Sequence, residues 1–296
     1  MAGEDTGVVY RAGVNEVQLT FSARDQNQHG AATLQVGDFA VVDTDRVIRK
    51  YRSFRRVNLT RIDVAVLIDA SESVKPDFRS EIMNTLELIS QIKDIPQKSI
   101  SVFFARGSKP AVLCSGACTV SSTTEQLSQI RPAGLTPLFD SVVFVSDFLS
   151  GGSVPRDENL DGSPAARRVL VIFSDGEDNV SIHSYTDALQ TALAGDVEIY
   201  SVDTGDPTFS DGAEVLRNLA TATGGRFLAT KQSAYRLAEA ILEDFHSTYS
   251  VTYSLPSRTE GFHPVRILPT NNSRIQFRCR SGYYYFNLFS PSPAGN

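Results

Sequence analysis

The sequence predicts a doubly wound α/β domain with a mostly parallel, Rossmann-like sheet, inserted into a small β-sandwich that both ends of the chain form. Two observations lead to this fold class. In the middle of the chain, apolar runs of strand length alternate with stretches of helical periodicity. On both flanks, shorter segments alternate apolar with polar residues. The length of 296 residues suits about two domains.

The central domain is expected at residues 59–246. Its strands are indicated by continuous apolar runs, which suit strands buried on both faces: 64–68, 100–105, 169–173 and 197–202. Its helices are indicated by amphipathic stretches between and after these runs: 78–92, 137–149, 185–193, 213–221 and 234–245. Repeated alternation of strand and helix implies a parallel sheet with helices on both sides.

The flanks, residues 14–58 and 247–288, are expected to form one β-sandwich. Val17, Leu19 and Phe21 alternate with polar residues. Further strands are expected at 39–42 and 47–54, around a turn at 43–45, and at 249–255, 265–268 and 274–280. Neither flank has enough strands to bury an apolar face alone, so we expect the two to pair.

The net charge, the lengths of the apolar stretches and the lack of certain motifs disfavour several classes of function. The formal net charge of −6 disfavours nucleic-acid binding, which needs a basic face. No apolar stretch approaches the roughly 20 residues that cross a bilayer. The four histidines lack metal-ligand spacing, and neither a G-x-S-x-G elbow nor a phosphate-binding G-x-x-x-x-G-K is present, so we expect no enzyme.

Polar residues cluster where two of the predicted central strands end. Asp69, Ser71 and Ser73 follow the first strand, Asp175 follows the strand at 169–173, and Thr136 precedes a helix. Residues two apart in an extended segment point the same way, so the first three side chains can converge. Their oxygens suit a hard divalent cation. The simpler alternative is that Asp69 and Ser71 only cap the next helix, but capping does not require Thr136 and Asp175.

At these residues the sequence resembles the von Willebrand factor A (VWA) domain, whose metal-ion-dependent adhesion site combines D-x-S-x-S with a separate Thr and a separate Asp. The resemblance implies that Ser71 and Ser73 bind Mg²⁺ directly, with Mn²⁺ or Ca²⁺ as alternatives. It implies that Thr136 binds directly or through water, and that Asp69 and Asp175 act mostly through water. Neutral inner ligands leave the cation attractive to a carboxylate of a partner protein.

The implied function is therefore metal-dependent protein binding or adhesion, with an Asp or Glu of the partner on the metal. We expect the loops around the site to choose that carboxylate through a partner-binding rim of five residues: Glu72, Leu135, Glu177, Asp178 and His183. Two alternatives remain: a structural or assembly subunit in which the metal serves only stability, and an enzyme accessory or hydrolase.

Nearly the whole chain, flanks included, resembles a bacterial family of VWA-containing proteins abundant in acidobacteria. This likeness rests on 261–265, on 277–284 and on Gly37-Asp38-Phe39. Members are typically exported, so we expect a secreted or periplasmic protein, although the polar residues 1–13 carry no signal-peptide core and a cytoplasmic location is the alternative. If the protein is exported, Cys114 and Cys118 are expected to form a disulfide, with Cys279 as a buried free thiol.

Overall fold

A computed structural model describes residues 16–25, 30, 33–57, 61–92, 98–107, 109–151, 167–205, 211–229, 234–270 and 274–286. The strands are β1 (Glu16–Arg24), β2 (Phe39–Asp43), β3 (Arg46–Ile48), β4 (Ser53–Arg56), β5 (Ile62–Asp69), β6 (Lys98–Arg106), β7 (Lys109–Cys114), β8 (Arg167–Ser174), β9 (Val197–Asp203), β10 (Phe227–Ala229), β11 (Thr248–Ser254), β12 (Gly261–Pro269), β13 (Gln276–Cys279) and β14 (Gly282–Tyr285). The helices are α1 (Phe78–Ile92), α2 (Val120–Leu127), α3 (Leu138–Ser150), α4 (Tyr185–Ala194), α5 (Asp211–Thr223) and α6 (Ala234–His246).

The central sheet has six strands in the order β10-β9-β8-β5-β6-β7. Neighbouring strands are parallel except β7, which runs antiparallel to β6 at one edge. Every residue of β5 is buried, as its continuous apolar run predicts. Buried apolar clusters lie on both faces, one shared with α1, α2 and α6 and the other with α3, α4 and α5. The predicted doubly wound, mostly parallel fold is confirmed.

Three short elements of this domain were not anticipated: β7, α2 and β10. The sequence of α2, VSSTTEQL, is rich in residues of low helix propensity. The helix begins where Thr119 acts as its N-cap and accepts a hydrogen bond from the backbone N–H of Ser122. Local capping and tertiary packing therefore outweigh composition in this segment.

The two flanks form two four-stranded antiparallel sheets, with strand orders β13-β1-β11-β4 and β14-β12-β2-β3. Each sheet contains strands from both ends of the chain. Leu19 lies opposite Val251 and Phe21 opposite Tyr249 in the pairing of β1 with β11. The ring centroid of Phe21 is 5.2 Å from that of Phe39 in the other sheet. The predicted sandwich of both chain ends is confirmed, with one apolar cluster between its sheets.

The single segment expected at 47–54 is divided between the sheets. Thr44 and Asp45 have positive φ angles of 47° and 63°, which suit the tight turn that joins β2 to β3. The chain then leaves this sheet, and β4 pairs with β11 in the other one. The expected domain limits at 14, 58, 59 and 288 lie outside the described residues, so these limits stay predictions.

A buried ionic cluster fastens the sandwich to the central domain. Asp244 of α6 is fully buried and accepts hydrogen bonds from Arg24 of β1 at 2.8 Å and from Arg278 of β13 at 2.6 Å. Arg226 lies 3.6 Å from the same carboxylate. The last helix of the central domain is thereby joined to strands from both flanks.

None of the described helices is long and apolar enough to span a bilayer.

Candidate metal centre

Asp69 connects the ends of the two middle strands of the central sheet. It is the last residue of β5 and is 2% exposed. Its Oδ1 accepts the backbone N–H of Ser71 at 2.9 Å, and its Oδ2 accepts the hydroxyl of Ser174, at the end of β8, at 2.7 Å. Both carboxylate oxygens are therefore oriented by the protein, which suits a residue that holds a cation through water.

Hydrogen bonds join the three loops that carry the predicted ligands: the first follows β5, the second precedes α3 and the third follows β8. The N–H of Glu72 donates to the carbonyl of Gly134 at 3.0 Å, which joins the first loop to the second. Thr136 and Asn179 join the second loop to the third. The N–H of Thr136 donates to Asn179 Oδ1 at 2.8 Å, and the N–H of Asn179 donates to the Thr136 carbonyl at 3.2 Å. Loops far apart in sequence thus meet at one edge of the sheet.

The hydroxyl groups have a spacing that fits an octahedral cation. Ser71 Oγ and Ser73 Oγ are hydrogen-bonded to each other and lie 3.0 Å apart. Two oxygens on adjacent octahedral positions around Mg²⁺ are separated by roughly 2.9 Å, because each lies about 2.1 Å from the ion at a right angle. Ser71 and Thr136 are each 1% exposed, whereas Ser73 is exposed. The donor set of hydroxyl and carboxylate oxygens therefore fits a hard divalent cation.

Asp175 is placed by a turn directly after β8. Its Oδ1 accepts the backbone N–H of Glu177 at 3.1 Å. Gly176 has a φ of +81°, and a Cβ built there would lie 2.1 Å from the carbonyl oxygen of Gly212 in α5. Only glycine satisfies both the positive φ and this close backbone approach. Glycine at position 176 therefore lets the chain turn directly after Asp175 and pack on α5.

Burial makes ionisation of the Asp69 carboxyl group unfavourable. Burial, with a smaller contribution from the charge of Asp175, raises the pKa of Asp69, hydrogen bonds from Ser174 and Ser71 lower it, and the net result is a pKa of about 6. A bound cation would favour the ionised form of Asp69. Within the described part of the chain, no three His, Cys, Asp or Glu side chains approach closely enough to hold a metal ion. A metal here would rest on two carboxylates and hydroxyl groups.

Two buried polar residues near this edge were missed in the sequence. Glu81 of α1 is fully buried and Thr204, directly after β9, is 4% exposed. Both oxygens of the Glu81 carboxyl group lack a hydrogen-bond partner among the described residues, and so does the Thr204 hydroxyl. An unpaired buried polar group costs about 1–3 kcal/mol, and a charged one costs more. Glu81 lies three residues after Phe78 and four before Thr85, on the buried face of α1, so helical periodicity could have identified it.

The five predicted rim residues differ in what they do. Glu72 is exposed and pairs with Lys75 at 3.1 Å, and Glu177 is exposed. Leu135 is 52% exposed beside Thr136. The remaining two, Asp178 and His183, contribute to the internal structure of the loop after β8.

Asp178 and His183 fasten that loop to α3. Asp178 Oδ2 accepts the N–H of Phe139 in the first turn of α3 at 2.9 Å, which satisfies a free helix donor. The ring of His183 lies against Asp140 of the same helix. Between them Ile182 is held with 93% of its side chain exposed, an apolar rim residue that the sequence analysis missed.

A disulfide joins Cys114 at the end of β7 to Cys118. The residues between them run beside β6, where the N–H of Ile100 donates to the Gly116 carbonyl at 3.1 Å and the N–H of Cys118 donates to the Ile100 carbonyl at 3.2 Å. Cys279 in β13 is a free, half-buried thiol, and burial raises its pKa to about 11.

No family model and no curated protein sequence matches the chain. Among solved structures, the chain is similar to the VWA domain of SpRpn10, with a TM-score of 0.44 and 12% identity over 60% of this chain and 94% of that one. Manganese-loaded TRAP protein of Plasmodium vivax gives a TM-score of 0.46 and 16% identity over 78% of this chain and 98% of that one. An aerotolerance-related membrane protein from Bacteroides fragilis, with multiple mutations to serines, gives a TM-score of 0.45 and 13% identity over 62% of this chain and 98% of that one. Likenesses this weak carry no weight for the function of this chain.

Proposed function

We propose that this chain is a divalent-metal-dependent protein-binding module that takes up an Asp or Glu of its partner on a metal held by Asp69, Ser71, Ser73, Thr136 and Asp175. The observation that carries the proposal is the 3.0 Å spacing of the Ser71 and Ser73 hydroxyls beside two oriented carboxylates. Mg²⁺ is the expected ion, and Mn²⁺ or Ca²⁺ would fit the same oxygen donors.

The five residues would have two different roles: some would bind the ion directly, and the others would orient its water ligands. The hydroxyls of Ser71, Ser73 and Thr136 would contact the ion, while Asp69 and Asp175 supply negative charge and orient water. A cation with neutral inner ligands keeps most of its positive charge and so attracts an incoming carboxylate. Ser73 is exposed, so the ion would face solvent on that side. The role proposed is binding without turnover.

The rim would determine which carboxylate is accepted. Leu135 and Ile182 offer exposed apolar surface beside the acidic Glu72 and Glu177. A partner that presents its acidic residue between basic and apolar neighbours would complement this surface. The Cys114–Cys118 disulfide supports a location outside the cytoplasm, where such bonds persist.

The test uses Mn²⁺ and acetate as probes. Mn²⁺ binding is measured by electron paramagnetic resonance, and access of the bound ion to water by water-proton relaxation. We expect the protein to bind Mn²⁺, and we expect acetate to lower the relaxation enhancement by displacing water while acetamide, its neutral counterpart, does not. Ser71→Ala should weaken Mn²⁺ binding at least tenfold, and Ser80→Ala, the same change at an exposed position of α1, should leave it unchanged.

Each outcome has a defined meaning. Mn²⁺ binding that acetate does not perturb would make the metal a structural element only, as in an assembly subunit. Wild-type protein that binds no Mn²⁺ at millimolar concentration would overturn the proposal altogether.

A further inference from the structure

Glu81 is an acidic side chain in the interior, next to the candidate metal centre. It projects from α1 and is fully buried. The charge that acts on it most strongly is that of Asp69, and Asp175 and Asp77 act in the same direction. The charges that act most strongly on Glu81 therefore have the same sign as its own.

The surroundings of Glu81 do not explain why a carboxyl group is there. Its nearest neighbours on the buried face of α1 are Phe78, three residues earlier, and Asn84 and Thr85, three and four residues later, and none of them carries a positive charge. Burial first, and then the charge of Asp69, raises the pKa of Glu81 well above its ordinary range. The Thr204 hydroxyl is near enough to Glu81 to oppose this shift, but the two groups do not meet the geometry of a hydrogen bond. A buried carboxylate beside two others is tolerated when a cation compensates it.

Thr204 strengthens the case for a missing counter-charge. Its hydroxyl is buried and, like both Glu81 oxygens, has no hydrogen-bond partner among the described residues. Its backbone N–H donates to the carbonyl of Ser174, the residue that orients Asp69. The next residue, Gly205, packs so closely on Asp175 that a Cβ there would lie 3.3 Å from the Asp175 Cβ. The unpaired oxygens and the predicted ligands thus share one region.

We propose that Glu81 is the interior counter-charge of the metal centre: with Thr204 beside it, its carboxylate compensates the cation from behind Asp69 and Asp175 and sets the site's preference for highly charged ions. This inference rests on the proposed function. Glu81 acts through the electric field and does not converge with the other two carboxylates on one point, in agreement with the absence of a three-carboxylate cluster among the described residues.

A counter-charge has a signature that a packing residue lacks. The Coulomb energy between Glu81 and a bound ion scales with the charge of the ion. Ca²⁺ and Tb³⁺ are similar in radius and differ in charge, so Glu81→Gln should weaken Tb³⁺ binding more than Ca²⁺ binding. If the affinity for Ca²⁺ falls tenfold, the affinity for Tb³⁺ should fall about thirtyfold, because the exponent grows in proportion to the charge.

The experiment measures Tb³⁺ affinity by luminescence and Ca²⁺ affinity by competition, on the full chain. Glu81→Gln keeps the size and shape of the side chain, and circular dichroism verifies its fold. Its metal-free form should melt at a higher temperature than the wild type. Glu81→Asp, which retains the charge, should recover most of the affinity ratio. Glu87→Gln removes the same charge six residues further along α1 and should change neither affinity.

The outcomes separate this inference from the proposed function. Equal affinities in wild type and Glu81→Gln, or equal losses for the two ions, would overturn the counter-charge and leave Glu81 as a neutral acid or a packing residue. If Ser71→Ala still weakens binding at least tenfold, the metal site itself stands. A wild type that binds neither ion would remove both proposals.

Discussion

His183 contacts the carboxylate of Asp140 twice. Its backbone N–H donates to Asp140 Oδ1 at 2.8 Å, and its ring Nδ1 lies 2.7 Å from the same oxygen. The N–H of Ile182 donates to Asp140 as well, at 3.1 Å. One carboxylate in the first turn of α3 thus holds the loop that displays Ile182 and that follows Asp175.

Asp140→Ala is expected to destabilise the protein by about 0.5–1.5 kcal/mol at pH 7, because it removes the acceptor of the Ile182 and His183 N–H groups, which are exposed and can turn to water instead. Burial opposes ionisation of Asp140, but the hydrogen bonds from His183 and Ile182 outweigh it and lower its pKa. A lowered folded-state pKa means that this stabilisation is complete above the unfolded pKa near 3.9 and is lost as the pH falls below it.

Urea unfolding at pH 7 and at pH 3 measures this effect. The difference between wild type and Asp140→Ala should be smaller at pH 3. Asp147→Ala, at an exposed position of the same helix, serves as the control and should be near neutral at both values. A difference that persists undiminished at pH 3 would show that helix capping, and not the ionised carboxylate, is responsible.

The buried carboxylate of Asp43 joins strands of the sandwich. Asp43 at the end of β2 is fully buried, and its Oδ2 accepts the hydroxyls of Tyr253 at 2.8 Å and of Tyr283 at 2.9 Å. Tyr253→Phe and Tyr283→Phe should each destabilise the protein by about 1–3 kcal/mol. The effects should be non-additive in the double variant, because both hydroxyls serve one oxygen. Thermal or urea unfolding measures this, with Tyr284→Phe as the matched control; additive losses would contradict a shared network.

The fold class could be predicted because the signals for it are local. The apolar runs of β5 and β8 are continuous, whereas a strand with one exposed face would alternate apolar with polar residues. The helix α1 begins and ends at the limits of its amphipathic pattern. The placement of Asp69 and Asp175 follows from the same signals, since both terminate buried parallel strands.

What the sequence could not supply depends on contacts between distant segments. Nothing near Asp140 indicates that it would hold His183, forty-three positions away. β3 and β4 are separate strands because β3 pairs with β2 in one sheet and β4 pairs with β11 in the other. The pattern of apolar and polar residues does not indicate with which strand a segment pairs. Glu81 differs, because helical periodicity alone assigns it to the buried face of α1.

The β-sandwich should depend on both chain ends. β11 lies between β1 and β4, so deletion of residues 1–57 leaves it without either neighbour and exposes its edges. We expect the truncated protein to aggregate, or its residues 247–288 to be digested rapidly in limited proteolysis, whereas the full chain resists. A soluble truncated protein with a protease-resistant C-terminal segment would refute a shared sandwich.

Cys279 should be unreactive at neutral pH. With a pKa of about 11 raised by burial, the fraction of thiolate at pH 8 is roughly 200-fold smaller than for an ordinary cysteine. Iodoacetamide should therefore label Cys279 in the native protein at least a hundredfold more slowly than in urea. Mass mapping without reduction should show the Cys114–Cys118 link intact in the same sample. Rapid native labelling at Cys279 would contradict its burial.

The last prediction separates the metal from the rim. Glu177 is exposed, and it contributes to the site through its backbone N–H, which donates to Asp175 and is retained in any substitution. Glu177→Lys should therefore leave Mn²⁺ affinity within about twofold, since only a screened surface charge changes. The same variant should bind acetate on the Mn²⁺-loaded protein more tightly at low salt, because a repulsive charge becomes attractive, and the gain should vanish near 0.5 M salt. Glu239→Lys, the same change on exposed α6, should affect neither quantity. Loss of Mn²⁺ binding in Glu177→Lys would make the Glu177 carboxylate a ligand, and an unchanged acetate affinity would move the carboxylate-binding position away from this loop.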